Sequence, residues 1–133
     1  MLTFPTSIRV FCATEPVDLR RGHDGLGMVV RGQWGLDVFS GDLFVFFGKR
    51  LDRCKILFWQ RGGFVIYYKR LERGRFRIPR VSTDGRTVEM DGTQLAMLLD
   101  GIDVTRVRRP ELWQPGGKKA GVVTRGIDKS RAA

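Results

Sequence analysis

LFVFFGKRLDRCKILFWQRGGFVIYYKR, residues 43–70, carries the pattern that sets the fold class. Three runs, LFVFF (43–47), CKILFWQ (54–60) and FVIYYKR (64–70), are dense in β-branched and aromatic residues. Short polar segments, GKRLDR and RGG, separate them. Such runs read as strands, and connections this short join antiparallel neighbours. The stretch therefore predicts an antiparallel meander. With Gly62-Gly63 as a two-residue turn, Trp59 faces Ile66, Leu57 faces Tyr68 and Lys55 faces Arg70. The first two pairs are favourable sheet contacts, whereas two opposed cations destabilise a strand pair.

Upstream, SIRVFCA (7–13) alternates as a strand does, with Ile8, Val10 and Cys12 on one side. From Leu19 to Trp34, the residues Leu26, Val29, Val30 and Trp34 share one helical face. Gly22, Gly25, Gly27 and Gly32 weaken that helix. Residues 35–42 form a loop. Downstream, RFRI (75–78) alternates again, Arg75 and Arg77 against Phe76 and Ile78. Asp84-Gly85 signals a turn before the strand TVEM. DGTQLAMLLDG (91–101) predicts a helix capped by Asp91 with Gln94, buried through Leu95, Leu98 and Leu99, and stopped at Gly101. The fold class is α+β: a small antiparallel meander packed with one or two short helices. One compact domain spans 1–110, and 111–133 form a basic, Gly-rich, disordered tail.

Charge is the unusual feature. The net charge of +10 is concentrated in residues 49–80, which hold eleven basic and two acidic side chains. Residues 1–48 hold four and five, and residues 81–103 one and five. A clustered excess of this kind marks a surface for a polyanion, although a basic face also serves solubility alone. Around the open end of the second hairpin gather Arg53, Lys55, Lys69, Arg70, Arg73, Arg75, Arg77 and Arg80. Lys and Arg there suit phosphates. Phe58, Trp59, Phe64, Tyr67 and Tyr68 could stack on unpaired bases, although aromatic residues in strands more often fill a core.

Several chemistries lack their residues. Cys12 and Cys54 stand apart and His23 is the sole histidine, so no zinc set is present and two reduced, buried thiols are expected. No metal and no cofactor is called for. Two-metal strand cleavage needs about three converging carboxylates, and the spacing of Asp18, Asp24, Asp37, Asp42, Asp52, Glu72, Glu89 and Asp91 selects no set. Asp18 reads as a cap for the first helix and Glu72 as the partner of a neighbouring arginine. His23 beside Asp24 has no nucleophile paired with it, and GHDGLG lacks the full spacing of a phosphate-binding loop. No apolar run reaches the roughly 18 residues of a membrane span, and the N-terminus has no signal-peptide pattern. A soluble cytoplasmic, nucleoid-associated protein is expected, with no membrane and no small-molecule substrate among its partners.

VDLRRGHDGL (17–26), FSGDLFVFFGKRLDRCKILFWQRGGFVIYYKRLERGRFRIP (39–79) and QLAMLLDGID (94–103) resemble the TnpB accessory proteins, often called Orf2, of the IS-sixty-six insertion-sequence family. A KRLE-x-GRF segment following a K-I-L-x-W strand carries much of that resemblance, which spans roughly residues 5–110. The strongest motif positions include Asp18, Arg20, Gly22, Asp24, Gly25, Tyr68, Glu72, Gly74, Phe76 and Pro79. Arg21 and His23 depart from the family pattern, and residues 115–133 have no counterpart in it. The resemblance implies a bacterial mobile-element protein that assists transposition while a separate DDE-type transposase supplies the chemistry. It brings no catalytic residues. The sequence thus leads to a non-catalytic DNA-binding accessory factor acting on element ends. The alternatives are a module that binds the transposase or another protein of the element, and an RNA-binding protein.

Overall fold

An unbroken apolar run such as LFVFF cannot divide its side chains between core and water, so both faces of its strand must be covered. The computed structural model, which describes residues 8–79 and 85–104, does this with a five-stranded sheet. The strands are β1 (Val10–Ala13), β2 (Leu43–Phe47), β3 (Arg53–Gln60), β4 (Gly63–Arg70) and β5 (Thr87–Met90). Their order is β4-β3-β2-β1-β5. The meander β2-β3-β4 is antiparallel, as the sequence predicts. β1 lies parallel to β2 and antiparallel to β5, which makes the sheet mixed. A parallel pair needs a long crossover. Residues 14–42 supply it, and carry the first helix across one face.

That face buries Phe11, Phe44, Phe46 and Leu57 against Leu26, Val29, Val30 and Val38. The other face buries Val10, Cys12, Leu43, Val45, Phe47, Cys54 and Ile56 against Phe76, Leu95, Leu98 and Val104. Every residue of β1 and β2 is buried. Strand β4, at the sheet edge, alternates between half-buried and exposed positions.

The second hairpin departs from the expected register by two residues. Trp59 faces Phe64, Leu57 faces Ile66, Lys55 faces Tyr68 and Arg53 faces Arg70. The turn residues are Arg61 and Gly62, with φ of 46° and 83°. A type I′ turn needs positive φ at both central positions. The structure places Gly62 second, with Arg61 tolerating the left-handed region before it. Because the shift is even, each residue keeps its expected face, and the opposed like charges move to Arg53 and Arg70.

The first helix is shorter than the predicted 19–34. It comprises α1 (His23–Met28) followed by a π-helical turn, Val29–Gln33, in which the Trp34 amide donates to the Val29 carbonyl. Its glycines disfavour longer α-helix, yet Leu26, Val29 and Val30 are buried as predicted and Trp34 is half-buried. Asp18 does not cap it. Gly22 is the N-cap, with no side-chain bond, and Asp18 is engaged by Arg20. RFRI forms no strand, although its alternation survives as buried Phe76 and half-buried Ile78 between exposed Arg75 and Arg77.

The second helix, α2 (Gly92–Leu99), has the predicted capping box. Gln94 N–H donates to Asp91 at 2.8 Å, and the Gln94 side chain accepts from Asp91 N–H at 3.0 Å. The expected domain end at 110, the tail, Arg80 and Asp84 lie outside the described residues. No described helix is long and apolar enough to cross a membrane.

Both cysteines are free and buried. Burial pushes the Cys54 thiol up to about 12 and Cys12 well above its ordinary value. Native protein at pH 8 is therefore expected to leave both thiols unreacted towards a thiol-exchange reagent, and urea to expose both. The folded state holds these protons more tightly than the unfolded chain. Their contribution to stability is thus complete below the unfolded thiol pKa, and is lost as pH climbs from about 9 towards 12. Denaturant titrations across that window measure the loss.

Candidate nucleic-acid interface

In a meander, the turn between β2 and β3 lies at the same end of the sheet as the last residues of β4. Three segments meet at that end. The hairpin 48–53 closes with Gly48 N–H donating to Arg53 O and Leu51 N–H to Gly48 O. The chain leaving β4 is bound to it, through Leu71 N–H to Asp52 O at 2.7 Å and Phe76 N–H to Leu51 O at 2.6 Å. The segment 17–21 is tied to the same end by Val17 N–H donating to Phe47 O. These bonds fix where the charges of all three segments stand.

Seven of the eight cations expected to bind phosphate lie among the described residues, and the structure gives them different roles. Lys55 is half-buried, and its ammonium donates to the carbonyls of Leu19 at 2.6 Å and Arg21 at 3.3 Å. It holds the 17–21 segment down. Lys69 lies on the opposite sheet face, where its ammonium donates to Leu99 O at 2.8 Å at the end of α2. A cation is well placed there, because helix C-termini leave carbonyls unpaired and carry partial negative charge. Lys69→Met is expected to cost about 1 kcal/mol of stability. It should leave the salt dependence of any polyanion binding unaltered; urea melts and salt titrations of the same variant check both.

Arg70 donates to Glu72 at 3.0 Å, so Glu72 does pair with a neighbouring arginine and relieves the Arg53–Arg70 opposition. That hydrogen bond also raises the Arg70 pKa. Arg53, Arg73, Arg75 and Arg77 are exposed, and their side chains make no ion pair among the described residues. The chain turns at Gly74 and re-enters the core at Phe76, so Arg73 and Arg75 project from a loop anchored on both sides.

Arg20, Lys49 and Arg50, outside the set of expected contacts, also stand at this end. They line an open cleft with Arg53, Lys55 and Tyr68. The signal was available, since GKR is the turn of the first hairpin and meander geometry brings it beside Arg70. Arg20 grips Asp18 through two nitrogens, and those bonds hold the Asp18 carboxyl below the usual carboxylate range. Of the aromatic candidates, Tyr68 is 49% exposed, whereas Phe58 and Tyr67 pack on the core and Trp59 and Phe64 stack edge-on with each other.

The other motif residues have local roles. Gly25 leaves room for Arg21, whose Cβ lies 2.9 Å from where a Cβ on residue 25 would stand. Asp24 contacts His23 at 3.2 Å, and His23 stacks on Phe64 rather than facing a nucleophile. Pro79 is buried. The carboxylates serve separate partners: Asp42 binds Arg9, Asp18 binds Arg20, Glu72 binds Arg70, and Asp91 caps α2. Among the described residues no three His, Cys, Asp or Glu side chains come close enough to hold a metal ion together.

The fold and site thus define a small α+β domain with a strongly basic sheet end. Residues 8–109 match the family described as "IS66 Orf2 like protein", and the chain belongs to that family. The family is one of accessory proteins of insertion-sequence transposition. Two relatives come from Sinorhizobium fredii. "Uncharacterized protein y4jC" is 39% identical over 108 residues, 81% of this chain and 91% of that one. "Uncharacterized protein y4hO" is 36% identical over 116 residues, 86% and 96% of the two chains. No solved structure matches.

Proposed function

We propose that this protein assists transposition by binding DNA at the basic end of its sheet, in support of a separate DDE-type transposase in the bacterial cytoplasm. The observation that carries this reading is the convergence of three hydrogen-bonded segments that leave Arg53, Arg73, Arg75 and Arg77 exposed at or beside one end, against Asp18, Asp52 and Glu72. Fixed loops lower the ordering cost of each phosphate contact. Within a Debye length of about 8 Å, such like charges raise one another's free energy until a polyanion arrives. Lys55 and Lys69 serve as internal ties in this reading, and the contacts shift to the arginines. Phosphate contacts give affinity without sequence choice, so preference for element ends comes from the transposase.

The test reverses charge at Arg73→Glu/Arg75→Glu. Retention of labelled duplex should be lost, while pull-down of the element's transposase by the same variant should persist. The opposite pattern, with duplex retained and the transposase lost, would make the basic end a docking surface for an acidic face of a partner protein.

A further inference from the structure

The cleft at the basic end is a more specific object than a charged surface. It is an open recess of about 610 Å³ between the 17–20 segment, the 48–53 hairpin and the ends of β3 and β4. That volume lies within the roughly 300–1,000 Å³ of sites for small molecules. Arg20, Lys49, Arg50, Arg53 and Lys55 line it, against Asp18 and Asp52, so cations outnumber acids. Arg20 is committed to Asp18, and Lys55 to two backbone carbonyls. The side chains of Lys49, Arg50 and Arg53 have no hydrogen bond or ion pair among the described residues. Tyr68 adds a half-exposed aromatic ring to the same wall, with the Lys55 ammonium 6.0 Å from its centroid.

Shape and chemistry together select the ligand. A recess offers little to a base inside a duplex, whose faces are covered by its stacked neighbours. An aromatic face set among cations in a concave site matches one nucleotide freed from pairing, whose base can stack while its phosphate is neutralised. A phosphate alone would leave the ring unused. An acidic peptide would use the cations, but would fill the ring only where it also carried an apolar or aromatic side chain, whereas every nucleotide carries a stacking face.

We infer that this cleft holds one unpaired nucleotide of a DNA strand, its base stacked on Tyr68 and its phosphate held by Lys49, Arg50 and Arg53. The inference rests on the DNA-binding reading above and names the form of DNA that the site takes. Duplex phosphates meet the projecting Arg73, Arg75 and Arg77, and the cleft receives the strand where pairing ends.

The experiment compares a blunt duplex with the same duplex carrying a short single-stranded extension, by fluorescence polarisation at one salt concentration. The extension should tighten binding about tenfold. Tyr68→Leu should remove that gain, Tyr68→Phe should keep it, and Lys49→Ala/Arg50→Ala should reduce it. Thermal melts confirm that each variant is folded, and the Lys49/Arg50 variant, confined to an exposed turn, carries the test if Tyr68→Leu is not. Blunt and extended probes binding alike would overturn the inference and leave duplex binding standing. Tyr68→Leu weakening both probes alike would also overturn it. A free deoxynucleoside monophosphate that displaces the extended probe as tightly as the strand binds would reassign the cleft to free nucleotides. If neither probe binds, the DNA-binding reading fails, and this one with it.

Discussion

Phe76→Ala is expected to cost the domain about 3–5 kcal/mol. Phe76 is 1% exposed, lies 5.8 Å from the Phe47 ring, and packs in the cluster that includes Leu95 and Leu98 of α2. It is also the point at which the arginine-bearing loop returns to the protein, with its amide bonded to Leu51 O. Truncation removes the buried ring and leaves a cavity that neighbouring strands cannot collapse to fill. Domains of this size hold roughly 5–15 kcal/mol in total, so the variant should melt at least about 10 °C lower and populate unfolded chain readily. Arg73→Ala, on the same loop but exposed, should stay within about 0.5 kcal/mol of the parent. Urea melts of the pair measure the contrast. A loss below about 1 kcal/mol for Phe76→Ala would mean that the ring does not anchor the loop.

Arg73→Ala/Arg75→Ala/Arg77→Ala is expected to weaken duplex binding on the order of 100-fold near 0.1 M salt, with stability almost unaltered. Each phosphate contact releases counterions and contributes about 0.9 to the slope of log affinity against log salt. Three lost contacts should flatten that slope by roughly 2.7. The corresponding changes at Lys55 and Lys69 should flatten it far less, because their ammonium groups are already held by carbonyls of the protein. Equal flattening by Lys69→Ala and by Arg73→Ala would show that Lys69 leaves Leu99 to meet DNA. Filter retention across a salt series provides the slopes.

Local patterns in the sequence were enough for much of the fold. Alternation, β-branched runs and a capping box are short-range signals, and β2, β3, β4, β5 and α2 follow from them closely. What escaped depended on partners distant in sequence. The place of β1 beside β2 is set by a crossover, and the segment leading into the first helix is held by Lys55, 34 residues from Arg21. The hairpin register turned on whether Arg61 would accept positive φ, which Gly62-Gly63 made look unnecessary.

The candidate site was legible as a region rather than as a set of roles. Net charge located the basic end, and the resemblance in KRLE-x-GRF pointed to the same residues. Yet a lysine that ties a helix end and an arginine that projects into solvent are identical in a count of charges. Lys69 differs from Arg73 only in what stands opposite it, the Leu99 carbonyl in one case and solvent in the other. Lys49 and Arg50 present the converse case, being remote in sequence from Tyr68 yet lining the same cleft in the fold.

The most direct measurement is the affinity of the wild-type protein for a duplex carrying an element's terminal repeat, and for a scrambled duplex, over a series of salt concentrations. Binding to both is expected, with a linear fall of log affinity against log salt at a slope on the order of −3 or steeper. Absence of binding near 0.1 M salt, or a slope close to zero, would contradict a DNA-binding role for the basic sheet end.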